Sequence, residues 1–240
     1  MVKFDCEKDN MNEFTRIMET KVGGAIMKIP KPTVRRLGLY YRCLARYKEE
    51  GVNFVSSQDI AERLNIKPSQ VRKDLSYFGE FGKRGLGYNV SKLISEIAHI
   101  IGVNKEWNVA IIGAGNLGSA LANYPGLAKH KFNVVAIFDN DRQKVGKKIA
   151  GIPVFHISEL NQKVKELNIE MAVIAVPESA AQYVAELVEE AGIKGIVNFS
   201  PIKLRTNIPI EDVDITLSFE TLAYMILKSS PVNIQQEEQV

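Results

Sequence analysis

Cysteine is scarce in this chain, which has only Cys6 and Cys43 among 240 residues. Two cysteines cannot build a disulfide framework, and these two lack metal-site spacing, so the composition favours a reducing compartment. No apolar run reaches the length of about 18 residues that a membrane-spanning helix needs. The N-terminus lacks the charged start, apolar stretch and cleavage site of a secretion signal. We expect a cytoplasmic protein that binds neither a metal nor a membrane.

Side chains suited to catalysis are also sparse. The only histidines are His99, His130 and His156, and each fits a structural or solvated position better than proton transfer. No G-x-S-x-G turn, which would expose a serine nucleophile, occurs in the chain. The last part, from Asn108, has about 130 residues, which leaves no room for a substrate domain beside a nucleotide-binding fold. We therefore predict that the protein is not an enzyme.

Charge is distributed unevenly along the chain. Residues 28–90 contain 13 Lys and Arg against 6 Asp and Glu, whereas the remainder carries 18 against 22. A basic N-terminal third on an acidic remainder indicates two modules, of which the first meets a polyanion. A merely basic surface would give the same counts, so charge alone leaves that alternative open.

The basic third has the pattern of a winged helix-turn-helix. Helical spacing predicts a first helix over 31–50, a short second helix over 58–64 capped by serines, and a third helix over 68–77. The segment 78–88 then alternates four glycines with aromatic residues and two adjacent cations, which suits a two-stranded wing. A helix over 90–101 leads to a linker.

Cations on the third helix and wing are the candidate DNA contacts. Val71 and Leu75 should face the core, which turns residues 72 and 73 outward. Arginine grips guanine edges with two hydrogen bonds, and wing cations reach phosphates or the minor groove. The predicted contacts with double-stranded DNA are Gln70, Arg72, Lys73, Ser76, Lys83, Arg84 and Gly85.

The pattern changes at residue 108 to β-branched runs that alternate with helical segments. The runs lie at 109–112, 134–138, 172–176 and 196–199, and the helices at 117–124, 158–167 and 179–191. This alternation predicts parallel βαβ units, and hence an α/β fold with a Rossmann-like sheet. Residues 214–228 read as a short strand followed by a helix with one apolar face.

A glycine fingerprint, Gly113-Ala-Gly-Asn-Leu-Gly118, follows the first run directly and opens a helix. Its glycines permit a tight turn, close approach to a pyrophosphate and close helix–strand packing. Asp139 ends the next strand 21 residues later, where a carboxylate binds ribose hydroxyls and repels a 2′-phosphate. We predict NAD(H) rather than NADP(H) as ligand, although Arg142 nearby could soften the choice.

The predicted cofactor-binding set combines the fingerprint with the ends of the neighbouring strands. It consists of Gly113, Ala114, Gly115, Asn116, Leu117, Gly118, Asp139, Val176, Pro177, Asn198 and Phe199. A related Rossmann variant binds coenzyme A, so a coenzyme A-responsive regulator is one alternative. An NAD-dependent oxidoreductase with an appended DNA-binding domain is another. A purely structural role would leave both the fingerprint and the cationic helix unexplained.

These segments together resemble the bacterial redox-sensing repressor family Rex, from about residue 29 to residue 228. The resemblance is carried by 32–37, by the recognition-helix and wing residues 71–79 and 84–88, by 113–118, and by 191–201. The recognition-helix and wing segment is distinctive, whereas the glycine fingerprint alone is not. A long N-terminal start and Ser200, in place of a common alanine, depart from the family pattern.

The resemblance implies a homodimer with an exchanged C-terminal helix near 218–228. Such a repressor binds inverted-repeat operators when free or NAD⁺-bound, is released by NADH, and controls genes of NADH reoxidation and fermentation. Three residues match the family's redox switch: Asp214 near the nicotinamide, and its alternative partners Tyr124 and Arg42. The implied domains are an extension (1–27), a winged helix (28–90), a linker helix (91–107), a Rossmann domain (108–217) and an exchanged helix with a tail (218–240).

Overall fold

The computed structural model describes residues 17–22, 25–83 and 85–229. The chain forms two compact units, of which the first ends at Lys105 and the second begins at Glu106. Arg84, most of the predicted N-terminal extension and the tail beyond residue 229 lie outside the described residues.

The N-terminal unit is built from helices and short antiparallel strands. In chain order its elements are β1 (Ile17–Val22), β2 (Ala25–Pro30), α1 (Lys31–Glu49), β3 (Phe54–Val55), α2 (Ser57–Leu64), α3 (Pro68–Ser76), β4 (Gly82–Lys83), β5 (Gly87–Asn89) and α4 (Val90–Ile100). β1 pairs with β2, and β5 lies between β3 and β4 in a small sheet. β2 runs across the predicted boundary after residue 27.

The helix ends in this unit follow from local chemistry. Ser56 accepts hydrogen bonds from the backbone N–H groups of Gln58 and Asp59, each at 3.1 Å, and the Asp59 carboxylate accepts the N–H of Ser56 at 2.6 Å. This reciprocal capping box fixes the start of α2. α3 starts at Pro68, whose missing N–H costs nothing in a first turn. The three predicted helices of the basic third are confirmed.

A buried carboxylate joins the first and third helices. Asp74 on α3 is fully buried and accepts hydrogen bonds from Nε and Nη2 of Arg36 (2.6 and 2.8 Å) and from the Tyr40 hydroxyl (2.7 Å). Thr33 and Gln70 donate to the same carboxylate at 3.0 and 2.9 Å. Burial raises the pKa of Asp74, but these donors outweigh it, so the pKa lies below its ordinary value. The Asp74 network thus fixes how α3 is held on α1.

The C-terminal unit alternates strands and helices. In chain order its elements are β6 (Trp107–Ile112), α5 (Asn116–Ala122), α6 (Pro125–Lys129), β7 (Phe132–Asp139), β8 (Lys148–Ile149), β9 (Ile152–His156), a 3₁₀ turn (Ile157–Glu159), α7 (Leu160–Glu166), β10 (Met171–Ile174), α8 (Glu178–Glu190), β11 (Gly195–Asn198), β12 (Ile210–Asp212) and α9 (Ile215–Ser229).

One sheet organises this unit, with strand order β12-β11-β10-β6-β7-β9-β8. All neighbours run parallel except β8 and β9. The chain moves outward from β6 in one direction through β7 and β9, then returns to β10 on the other side. This is the order of a doubly wound dinucleotide-binding sheet, in which ligands bind where the strand order reverses. The predicted Rossmann-like parallel sheet is confirmed.

Several predicted elements differ in detail. The predicted helix over 117–124 ends two residues early, at Ala122, because Pro125 disfavours helical backbone at Tyr124 and starts a separate helix. The predicted strand at Asp214 is wrong: the strand is Ile210–Asp212, and α9 begins at Ile215. The alternation also missed β8, which pairs only with β9.

The last helix, α9, is exposed along its whole length. No residue of α9 is buried. Eight large apolar side chains on it are more than half exposed: Ile215, Leu217, Phe219, Leu222, Tyr224, Met225, Ile226 and Leu227. An apolar surface of this length needs a covering partner.

Candidate functional site

The ends of β6 and β10 meet at a glycine turn. Gly113 has φ +108°, and a Cβ there would lie 2.4 Å from the carbonyl oxygen of Ala175. Its N–H donates to the carbonyl of Phe138 at 2.7 Å, and the Ala175 N–H donates to Ile112 at 2.8 Å. These contacts bring the carboxyl ends of β6, β7 and β10 together at the point where the strand order reverses. The turn requires glycine at 113.

The other two fingerprint glycines differ in what surrounds them. A Cβ on Gly118 would lie 1.9 Å from the carbonyl oxygen of Gly113, so α5 can pack on the turn only without a side chain. A Cβ on Gly115 would meet no atom of the chain within 4 Å. The fold therefore requires glycine at 118. Packing within the chain does not require glycine at 115, so a requirement there would come from a ligand that approaches the backbone.

Asp139, at the end of β7, faces this turn. Its side chain is 8% exposed, and Oδ2 accepts the N–H of Ala114 at 2.7 Å while Oδ1 accepts the N–H of Asp141 at 2.8 Å. Burial raises the pKa of Asp139, but these amides and a nearby ammonium outweigh it, so the pKa lies below its ordinary value. The site thus holds a fixed, ionised carboxylate beside the glycine turn.

The nearby ammonium belongs to Lys144, which the sequence reasoning missed. Its Nζ lies 3.2 Å from Oδ2 of Asp139 and 3.9 Å from Asp141. Arg142, the cation expected near Asp139, is exposed on the same loop. In the sequence, Lys144 is marked only by its position five residues after Asp139. That spacing does not show that the loop brings the two side chains together.

The remaining predicted cofactor residues gather at the same sheet edge. Val176 and Pro177 follow β10, and Asn198 and Phe199 close β11. The Ser200 hydroxyl donates to the carbonyl of Val176 at 2.8 Å, which ties these two strand ends together.

Asn198 points into the protein. Its amide nitrogen donates to Ile202 and Asp212, both at 2.9 Å, and its oxygen accepts the N–H of Ser200 at 2.9 Å. Its observed contacts are therefore those of a loop anchor, and ligand contact at Asn198 stays a prediction. Asn116 and Leu117 are exposed at the start of α5, and Ala114 is buried in the turn.

The three predicted switch residues lie on different elements. Asp214 caps α9, because Oδ1 accepts the N–H groups of Thr216 (2.8 Å) and Leu217 (3.4 Å). Tyr124 precedes α6 and is 60% exposed. Arg42 is exposed on α1 in the N-terminal unit. The capping role of Asp214 was not foreseen.

The predicted recognition helix presents its cations outward. Arg72 and Lys73 are exposed, while Val71 and Leu75 are buried as expected. The Arg72 guanidinium donates to the Ser57 hydroxyl at the start of α2, at 2.8 Å. This contact orients Arg72 along the surface formed by α2 and α3.

The other predicted DNA contacts differ in how available they are. Gln70 is part-buried and donates to Asp74, and the Ser76 hydroxyl donates to the carbonyl of Lys73. Lys83 is exposed beside Gly85, which turns the wing with φ +81°. Arg84 lies outside the described residues. Arg72, Lys73 and Lys83 are the most available of the described set.

Comparisons with known proteins decide the family. Residues 28–76 match "Putative DNA-binding protein N-terminus" and residues 104–202 match "CoA binding domain". A redox-sensing transcriptional repressor Rex from Thermosipho africanus is 65% identical over 199 residues, covering 83% of this chain and 96% of that protein. The chain belongs to the Rex family. Rex 1 of Thermotoga maritima is 52% identical over 202 residues, covering 84% and 97%.

Solved structures of a Rex-family repressor called RSP agree with this assignment. RSP in complex with beta-NAD⁺ and operator DNA superposes with a TM-score of 0.79 at 36% identity, covering 83% of this chain and 93% of that one. RSP in complex with beta-NADH gives 0.74 at 34% identity, covering 83% and 95%. The Rex relatives are transcriptional repressors, which confirms the prediction that the chain is not an enzyme.

No helix among the described residues is both long and apolar enough to span a membrane. Within the same residues, no three His, Cys, Asp or Glu side chains group as metal ligands would.

Proposed function

We propose that this chain is a cytoplasmic, homodimeric repressor that binds inverted-repeat operator DNA when free or NAD⁺-bound and leaves it when NADH binds. Its targets are genes for NADH reoxidation and fermentation. One observation carries the proposal: a single chain joins an outward-facing cationic helix to a switch-point site with a glycine turn and an ionised carboxylate. The RSP structures, with NAD⁺ plus operator and with NADH, support it.

The dinucleotide contacts follow from the switch-point geometry. Gly115 and the first amides of α5 would receive the pyrophosphate, since N–H groups in a first helical turn have no intrahelical partners. Asp139 would accept the ribose hydroxyls, and Val176, Pro177 and Phe199 would line the path toward the nicotinamide. A carboxylate at 139 favours NAD(H) over its 2′-phosphorylated form.

The DNA contacts follow from the exposed face of α3. Arg72 and Lys73 would enter the major groove, with Gln70 and Ser76 beside them, and the wing residues Lys83, Arg84 and Gly85 would reach the adjacent minor groove. Operator half-sites lie about one helical turn apart, so a modest change in the spacing of the two recognition helices is enough to end two-fold docking.

The dimer follows from the apolar surface of α9. None of its residues is buried within its own chain, and exchange of this helix between two copies would cover both surfaces. Asp214, Tyr124 and Arg42 would then act as the switch. Which of the two partners Asp214 contacts would depend on the charge of the nicotinamide ring. That ring is positively charged when oxidised and neutral when reduced.

Release by NADH is the first measurement. A labelled duplex from the gene's own upstream region is titrated with protein by fluorescence anisotropy, and the complex is then titrated with NADH, NAD⁺ or coenzyme A at fixed salt. We expect NADH to release the duplex at concentrations at which NAD⁺ does not. DNA binding indifferent to both nucleotides would contradict the redox reading. Release by coenzyme A alone would favour the alternative that the "CoA binding domain" match suggests.

A paired substitution at Asp214 tests the switch. Asparagine caps a helix as well as aspartate does but carries no charge, whereas alanine also loses the cap at a cost of about 1 kcal/mol. We expect Asp214→Asn and Asp214→Ala to reduce the NADH/NAD⁺ discrimination by about tenfold, the scale of one charge-assisted hydrogen bond. Only the alanine variant should also melt earlier. Full wild-type discrimination in Asp214→Asn would show that the charge at 214 is not the sensor.

A further inference from the structure

The loop after β7 folds back over its own carboxylate. The N–H of Asp141 donates to Asp139, and the N–H groups of Lys144 and Val145 donate to the carbonyl of Asp141 at 2.9 and 3.2 Å. This turn returns the Lys144 side chain to Asp139. The Lys144 side chain is 39% exposed and the Asp139 side chain 8%, so the ammonium lies on the solvent side of a buried carboxylate.

We propose that Lys144 is a second determinant of dinucleotide selectivity, which opposes Asp139 by holding a positive charge where the 2′-substituent of the adenosine ribose arrives. The inference rests on the proposed function, which places that ribose at Asp139. The discriminated ligands are NADH and its 2′-phosphorylated form, NADPH. Asp139 disfavours the 2′-phosphate by repulsion, and Lys144 partly cancels that repulsion.

The acceptor sites of Asp139 show why Lys144 must respond to a bound ribose. A carboxylate offers about four acceptor sites, and two backbone amides and the Lys144 ammonium already use three. A ribose diol brings two hydroxyl donors, so one existing contact has to open. The amides are fixed by the glycine turn and the loop backbone. Lys144 is the flexible, part-exposed partner, so its contact with Asp139 is the one that opens when the ribose binds.

Once it is displaced, the ammonium remains beside the ribose. With NADH it returns to solvent or to Asp141, which lies 3.9 Å away. With NADPH it can pair with the 2′-phosphate, and this charge-assisted contact is worth about 10- to 100-fold in affinity. The native site therefore discriminates less sharply against NADPH than its carboxylate alone would.

Four variants test this assignment by direct binding of NADH and NADPH. Lys144→Met should weaken NADPH about tenfold relative to NADH, because the only cation on Asp139 among the described residues is lost. Asp139→Asn should strengthen NADPH about 10- to 100-fold relative to NADH, because the repulsion goes and the ammonium stays. Asp139→Asn with Lys144→Met should lose that gain. Lys147→Met removes an exposed lysine from the same loop and should leave both affinities at wild-type values.

The measurement is a titration of the full chain with each nucleotide at low and high salt. The Lys144 effect should shrink at high salt, because a part-exposed charge is screened. Equal NADPH affinity in Lys144→Met and Lys147→Met would overturn the inference, and that comparison stands even if Asp139→Asn fails to fold. Wild-type protein that binds neither nucleotide would overturn the proposed function together with it. Wild-type release of DNA by NADH with no Lys144 effect would overturn the inference alone.

Discussion

Replacing Asp74 by alanine is expected to destabilise the N-terminal unit by about 3 kcal/mol, near the lower end of the range for breaking a buried ion pair. The substitution leaves Arg36, Tyr40, Thr33 and Gln70 without the acceptor that they share. Arg36 is 25% exposed and can turn to water, which is why we expect the lower end. Because α3 is held on α1 through this carboxylate, operator affinity should fall with stability.

Hydrogen exchange of peptides from residues 31–100 measures this loss in the unit concerned. Glu96→Ala removes an exposed carboxylate from α4 and should change stability by less than about 0.5 kcal/mol. The pKa of Asp74 is lowered on folding, so its stabilisation is present above its unfolded pKa of about 3.9 and is lost as the pH falls through the lower folded value. The difference between wild type and Asp74→Ala should therefore be full at neutral pH and shrink below pH 4. A difference that does not change with pH would show that Asp74 stabilises by packing alone.

Gly118→Ala is expected to disrupt the C-terminal unit, at a cost of about 3 kcal/mol or more, because its methyl group would overlap the carbonyl oxygen of Gly113. The Gly113 backbone cannot shift to make room for the methyl group unless α5 moves away from the glycine turn. Trp107, the single tryptophan, starts β6 and reports this unit by fluorescence. We expect an earlier unfolding transition and loss of NADH binding.

Gly115→Ala is the matched control, three residues away in the same fingerprint. Its methyl group meets no atom of the chain within 4 Å, so the Trp107 unfolding transition should stay at the wild-type position. NADH affinity should nevertheless fall at least about tenfold, because the methyl would stand where the pyrophosphate meets the backbone. Wild-type NADH affinity in this variant would place the pyrophosphate elsewhere.

Much of the architecture was predictable because it depends on the spacing of residues within short segments of the sequence. The glycine turn, the placement of Asp139 at a strand end and the outward position of Arg72 each follow from a period or a motif within one or two elements. The break before Pro125 also had a local signal, since the residue before proline avoids helical backbone. The end of β12 had no such local signal, because Asp214, which caps α9, lies in a segment whose apolar and polar residues alternate as in a strand.

The missed residues depend on contacts between elements. Asp74 lies on the same helical face as Val71 and Leu75, so its burial could have been anticipated, but its partners on α1 are more than 30 residues distant in sequence. Lys144 reaches Asp139 only because the loop after β7 turns back, and sequence spacing does not give the path of such a loop. Side-chain reach across a turn is a property of the folded backbone.

The exposed surface of α9 also has a genetic consequence. Under the proposed exchange of α9, each copy covers the apolar helix surface of the other, so the stability of the folded dimer rises with protein concentration. A copy with substitutions only at Arg72 and Lys73 would still exchange α9 with an intact copy. The resulting mixed dimer would have only one functional DNA-binding domain. Such an allele would be dominant over the wild type, whereas an allele that loses α9 would be recessive.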